Sequence, residues 1–224
     1  MNRLAIAALV IGTAAAGAVA YLAFEKRAQP PAATSAPAES QTAAPGSTEP
    51  QPAVLAERVP EFQLADRDGT MRSLADWQGK SLIVNFWATW CAPCRREIPL
   101  LGELQQQYGP AGFQVIGVAA DYRDKVIAYA EKSGIKYPLL IGEQDALDAA
   151  AAFGVEIVGF PFTVFSDSQG RVITCHVGEL TRPQAEVILG AIERVNSGVV
   201  SPDQARSEIT AGIDRLKVEG VNES

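Results

Sequence analysis

With 224 residues, 26 of them acidic and 19 basic, the chain is long enough for one ordinary domain plus accessory segments and carries a net charge of −7. That balance sets nucleic acid aside as a partner, because the chain as a whole repels phosphate. Three cysteines are too few for a disulfide-stapled scaffold, and their odd number leaves at least one free or paired outside the chain.

The first element is an uncharged run, Leu4 to Phe24, whose 21 residues would span about 30 Å as a helix, the thickness of a bilayer's hydrocarbon core. Ala18-Val19-Ala20 would suit a signal peptidase, yet the run outlasts the apolar stretch of an ordinary signal peptide. Residues 1–27 are therefore expected to be an uncleaved transmembrane anchor, with a long signal peptide as the alternative. Arg3 on one side and Lys26 and Arg27 on the other leave its orientation undecided by charge. In residues 28–53, twenty of twenty-six are Pro, Ala, Ser or Thr, and none is aromatic, Leu, Ile or Val. Such a segment cannot bury enough apolar surface to offset its ordering entropy, so it is expected to be a disordered tether.

From Val54 the pattern becomes globular. Glu61 to Lys80 alternates apolar and polar residues about Asp68-Gly69, a hairpin signature. Ser81 to Trp87 ("SLIVNFW") is a short apolar run expected as a strand buried on both faces. A helix follows at once, with Pro93 in its first turn and Ile98, Leu101, Leu104 and Tyr108 on one face, until Gly109-Pro110 stops it. Strand 113–120, helix 125–134, strand 137–142 and helix 145–154 continue the alternation. Strands at 162–167 and 171–177 then flank a Ser168-Gln169-Gly170 turn, and a helix opens with the capping box Thr181…Gln184. Strands alternating with helices and ending in a hairpin predict an α/β fold, a mixed central sheet flanked by helices, over residues 54–196. Residues 197–224 contain a second capping box, Ser201…Gln204, and an apolar stripe of Ala205, Ile209, Ile213 and Leu216, read as a terminal amphipathic helix docked on the domain, with packing on a partner as the alternative.

The chemistry concentrates in "FWATWCAPCRREIP", residues 86–99. Cys91 and Cys94, one turn apart at a helix start, can close into a disulfide or open into a dithiol. Unpaired N–H groups and the helix dipole favour a thiolate at Cys91, making it the attacking sulfur, with Cys94 as the resolving thiol. A zinc site is disfavoured: the remaining candidate ligands, Cys175 and His176, are strand neighbours whose side chains point to opposite faces. A purely structural disulfide closing so short a loop would stabilise little, and a cysteine peroxidase works through one thiolate without such a partner. No phosphate loop, nucleotide motif or haem-attachment motif is visible. Cys175 is read as a small buried hydrophobe, Trp87 and Trp90 as packing around the cysteine pair, and Arg95 and Arg96 as solvated charges.

"NFWATWCAPC" resembles the active-site stretch of the thioredoxin superfamily, and the following "RREIP" is similar to the membrane-anchored TlpA, ResA and CcmG group of thiol:disulfide oxidoreductases. The resemblance implies a thioredoxin-like fold with an N-terminal hairpin and a central βα insertion. It also implies a cis-proline loop facing the cysteines, supplied by Phe160-Pro161. Trp90, Pro93, Phe160 and Pro161 are then the expected substrate-contact residues. Thioredoxins carry a buried aspartate where this chain has Asn85, so that proton acceptor is absent. Glu97 matches a glutamate of the ResA-like branch that serves a comparable purpose, and two readings of it stay open: a desolvated base for Cys94, or a solvated first-turn carboxylate complementing the helix dipole. The implied cofactor is the redox-active Cys91–Cys94 pair alone, with no bound metal. The implied partners are protein thiol or disulfide substrates and a membrane thiol-disulfide electron donor. The implied location is the bacterial inner membrane with the catalytic domain in the periplasm, and the implied activity is reduction of specific protein disulfides, as in cytochrome c or copper-protein maturation. A disulfide-forming oxidase and a Cu(I)-binding assembly chaperone are the alternatives.

Overall fold

A computed structural model describes residues 55–155 and 159–222. The anchor expected over 1–27 and the tether over 28–53 lie outside them, and no helix among the described residues is long and apolar enough to cross a membrane. The elements run β1 (Gln63–Ala65), β2 (Met71–Ser73), β3 (Ser81–Trp87), α1 (Ala92–Tyr108), β4 (Phe113–Ala120), α2 (Arg123–Ser133), β5 (Leu139–Gly142), α3 (Gln144–Ala152), β6 (Phe162–Ser166), β7 (Val172–Val177), α4 (Arg182–Asn196) and α5 (Pro202–Asn222). Short 3₁₀ turns at Leu74–Trp77 and Gly109–Ala111 complete the set.

One seven-stranded sheet takes the order β2-β1-β5-β4-β3-β6-β7. β3, β4 and β5 are mutually parallel, whereas β6 runs antiparallel to β3, β7 to β6, and β1 to both β2 and β5. Two hydrophobic cores follow from strand periodicity. Leu82, Val84 and Phe86 of β3 point to one side, against Ala146, Ala149, Ala150 and Phe153 of the α3 region and against the hairpin's Leu64. Ile83 and Trp87 point to the other, where α1, α2, α4 and α5 pack. Asn85, between Ile83 and Trp87 in that alternation, therefore faces the α1 side from the middle of an apolar strand. It is fully buried.

Helix α5 is part of the same packing. Ala205 and Ile209 are buried in the α1-side core, with Ile213 packed against it, so the apolar stripe docks on the domain itself. Arg206 completes the contact from the polar side: its guanidinium donates to the carbonyls of Val172 (2.8 Å) and Ile173 (3.3 Å) on the edge strand β7. A helix laid over an edge strand, with an arginine occupying its free carbonyls, blocks the strand pairing that such an edge invites.

Candidate active site

The turn ahead of α1 places the cysteines. Cys91 is the N-cap of the helix, with extended backbone (φ −79°, ψ 109°), and its Sγ accepts the N–H of Cys94 at 3.2 Å. Pro93, half-buried in the first turn, has no N–H to leave unpaired there. Cys91 and Cys94 form a disulfide with Cα atoms 5.3 Å apart. Cys91 retains 4 % exposure and Cys94 none, so both are buried and Cys91 is the residue nearer the surface. The helix runs on through Pro99, which is exposed and whose missing N–H removes one bond of the helical ladder.

A second anchor for this turn is absent from the sequence reading. Asp121, just after β4, accepts the backbone N–H of Thr89 (3.2 Å) and the Thr89 hydroxyl through Oδ2, and the N–H of Tyr122 (2.8 Å) through Oδ1. It ties the turn ahead of the cysteines to the carboxyl end of the parallel strands.

The two tryptophans expected around the cysteine pair differ in placement. Trp87 is fully buried, whereas Trp90 is 68 % exposed and leans on Phe160 with ring centroids 6.1 Å apart. Phe160 stacks on Phe162 (6.2 Å), and Phe162 on Phe86 (4.6 Å), so a ladder of aromatic rings supports the surface indole from the core. The Phe160–Pro161 peptide bond is cis, and the Pro161 carbonyl accepts the N–H of Gly178 at 2.9 Å. Tyr122 and Val177 are also exposed. Trp90 thus stands exposed next to Cys91 in the chain, and Phe160 packs against the core that holds both cysteines.

Glu97 decides between its two readings. It is 1 % exposed, so the solvated first-turn carboxylate is overturned. Oε1 accepts the amide of Asn85 at 2.7 Å and Oε2 accepts the backbone N–H of Leu180 at 2.8 Å. Burial pushes its pKa up to about 7, against the pull of the Leu180 and Asn85 donors, with a further push from the Glu179 carboxylate. The loop supplying Leu180 is held in turn: Gly178 takes the left-handed conformation (φ 98°) that turns the chain off β7, and Arg96 chelates Glu179 through Nε (2.8 and 3.1 Å) and Nη2. Arg96, read from the sequence as merely solvated, is exposed yet fastens this loop to α1. Asn85, read as a lost acceptor, is a donor to the Glu97 carboxylate.

Cys175 stands apart. It is half-buried against the opposite core from the disulfide, and burial pushes its thiol up to about 11, which suits a packing residue.

Comparisons with known proteins agree with this geometry. Residues 55–175 match the AhpC/TSA family. The thiol-disulfide oxidoreductase ResA of Geobacillus thermodenitrificans is 32 % identical over 147 residues, 65 % of this chain and 82 % of that protein. Among solved structures, a putative thiol:disulfide interchange protein DsbE from Chlorobium tepidum superposes with a TM-score of 0.54 at 26 % identity, covering 62 % of this chain and 94 % of that one. A secreted thiol-disulfide isomerase from Corynebacterium glutamicum does so with 0.54 at 26 %, covering 62 % and 90 %. The chain belongs to the AhpC/TSA family and, within it, to the thiol-disulfide oxidoreductases of thioredoxin-like fold.

Proposed function

We propose that the protein is an extracytoplasmic reductase of specific protein disulfides, held at the bacterial inner membrane by residues 1–27 with its catalytic domain in the periplasm. The observation that carries the chemistry is the placement of the Cys91–Cys94 disulfide at the N-terminus of α1, where the outer sulfur already accepts the Cys94 N–H. In the reduced protein the same N–H and the helix dipole stabilise a Cys91 thiolate. That thiolate attacks one sulfur of a substrate disulfide, and the other substrate sulfur leaves as a thiolate and takes a proton from water. Cys94 then gives its proton to Glu97, one helical turn away, and attacks Cys91. The bond to substrate breaks, the second substrate sulfur leaves as a thiolate that takes up the proton held by Glu97, and two electrons have passed from the enzyme to the substrate. A membrane thiol-disulfide donor returns them.

Trp90, Phe160 and Pro161 present the substrate backbone beside the sulfurs, and Pro93 borders the same surface. Trp90→Ala is expected to raise KM for a protein disulfide about tenfold while leaving kcat within roughly twofold, because an exposed aromatic anchor contributes binding without touching the reacting atoms. Steady-state kinetics on insulin or a disulfide peptide reads this directly. A fall confined to kcat would remove Trp90 from the binding surface.

The direction of electron flow rests on the resemblance to the TlpA, ResA and CcmG group, whose members reduce apocytochrome c or copper-assembly substrates. Equilibration of the pair against glutathione tests it. A potential near thioredoxin's, about −270 mV, supports a reductase, and one near that of a strong oxidant, about −120 mV, reverses the assignment to disulfide formation.

A further inference from the structure

Two contacts between α1 and the loop after β7 are made by consecutive residues on both sides. Arg96 chelates the Glu179 side chain, and the next residue of each segment makes the second contact, Leu180 N–H to Glu97 Oε2 at 2.8 Å. The N–H that reaches Glu97 and the carbonyl of Glu179 belong to one planar peptide unit. His176 Nε2 lies 3.4 Å from that carbonyl, so the unit is held on both sides. The Arg96 side chain is 61 % exposed and that of Glu179 34 %, so their ion pair adds little to stability by itself. Its effect comes from its place. It fastens the residue whose peptide bond carries a donor to the buried carboxylate, and it sets a cation against the Glu179 charge that acts on Glu97.

We propose that Arg96 and Glu179 are a positioning pair for the proton transfer, an exposed ion pair that sets how tightly the buried Glu97 holds the proton it takes from Cys94. Neither side chain touches the reacting atoms. The two members work in opposite senses: the Glu179 charge favours the protonated form of Glu97. Arg96 opposes it twice, by neutralising Glu179 and by keeping the loop where the Leu180 N–H stabilises the ionised form. The balance lets Glu97 accept a proton from Cys94 and still return it to the departing substrate thiolate.

The other groups around Glu97 leave this role to the pair. Asn85 on β3 and its partner Thr163 on β6 are neutral. Tyr137, ahead of β5, is buried, and burial together with the Glu97 charge pushes its phenol up, so it stays protonated. Burial pushes His176 on β7 down, which keeps its ring neutral at pH 7. Arg95 is exposed on α1, and Arg182 at the head of α4 is turned to Glu103. Cys94 is tied up in the disulfide of the oxidised protein.

The role of the pair rests on Glu97 being the acceptor for Cys94, and the two can be tested apart. In the oxidised, isotope-labelled full chain, where neither Cys91 nor Cys94 titrates, the carboxyl carbon resonance of Glu97 reports its midpoint without any substrate. Arg96→Gln should raise that midpoint, tightening the proton about threefold, because Glu179 is left unneutralised and the loop loses its clasp. Glu179→Gln should lower it by a similar factor, because the opposing charge is gone while the carboxamide carbonyl still accepts from Arg96. The double variant should lie between the two. A clasp that is only structural cannot produce opposite signs, since loosening the loop from either side moves both variants the same way. Shifts of one sign in both single variants, or a midpoint unmoved in either, overturn the proposal. Opposed shifts, with a wild-type rate of mixed-disulfide release whose pH profile ignores the Glu97 midpoint, uphold the pair's control of Glu97 and remove Glu97 as the acceptor for Cys94 instead.

Discussion

A Cys94→Ser protein should accumulate a stable mixed disulfide between Cys91 and its substrates, and Cys91→Ser should accumulate none. Both should lose turnover in insulin reduction by on the order of a thousandfold or more, since nucleophile and resolving group act as a unit. The asymmetry follows from placement rather than from residue type. The Cys91 sulfur caps the helix and accepts the Cys94 N–H at 3.2 Å, and Cys91 keeps a little exposure, whereas Cys94 has no exposed surface from which to reach a foreign disulfide. Serine in place of Cys94 keeps the backbone N–H that steadies the outer sulfur and removes only the attack that releases substrate. Non-reducing electrophoresis and mass spectrometry of the trapped species report the outcome. Trapping through Cys94 in the Cys91→Ser protein would reverse the two roles, and tight stoichiometric Cu(I) binding with no trapping in either would favour a chaperone.

Features set by neighbours in the chain were legible before the structure. Ser81–Trp87 and Phe113–Ala120 are the strands expected, because a strand buried on both faces writes an unbroken apolar run. The Thr181…Gln184 box and the cap at Cys91 were readable because capping is settled within four residues. What escaped depends on groups brought together by topology. Asn85 and Glu97 are 12 residues apart, and Glu97 and Leu180 are 83 apart. Whether a first-turn glutamate is wet or dry is decided by the loop that covers it. One signal did exist: a lone asparagine in an otherwise apolar strand, on the α1-facing parity, is a buried polar group in need of a partner. The exposure of Trp90 left no local pattern, and its place among the expected substrate contacts came from the resemblance alone. Helix α2 begins at Arg123, two residues before the apolar pattern suggested, since its first turn is polar and leaves no mark on that pattern.

The Glu97 carboxyl should also make the stability of the oxidised protein depend on pH in a direction opposite to that of most carboxylates. Its folded pKa of about 7 lies above the unfolded value of 4.5, so the native state holds a proton that the unfolded chain releases between those values. Its contribution to stability is fully present below pH 4.5 and is lost as pH rises through 7, by about 3 kcal/mol in total. Stability as a whole depends on pH through many groups, so the contribution of Glu97 is isolated by difference. Glu97→Gln retains a carbonyl for the Leu180 N–H and cannot ionise, and its unfolding free energy relative to wild type should therefore climb by about 3 kcal/mol from about pH 4.5 to about pH 8. Urea denaturation at a series of pH values measures that slope. The same number bears on catalysis: a carboxyl that is uncomfortable as an anion at neutral pH is one that takes a proton from a buried thiol readily. A difference that stays flat across this window would mean that Glu97 ionises as it does in water, and the base assigned to Cys94 would have to be found elsewhere.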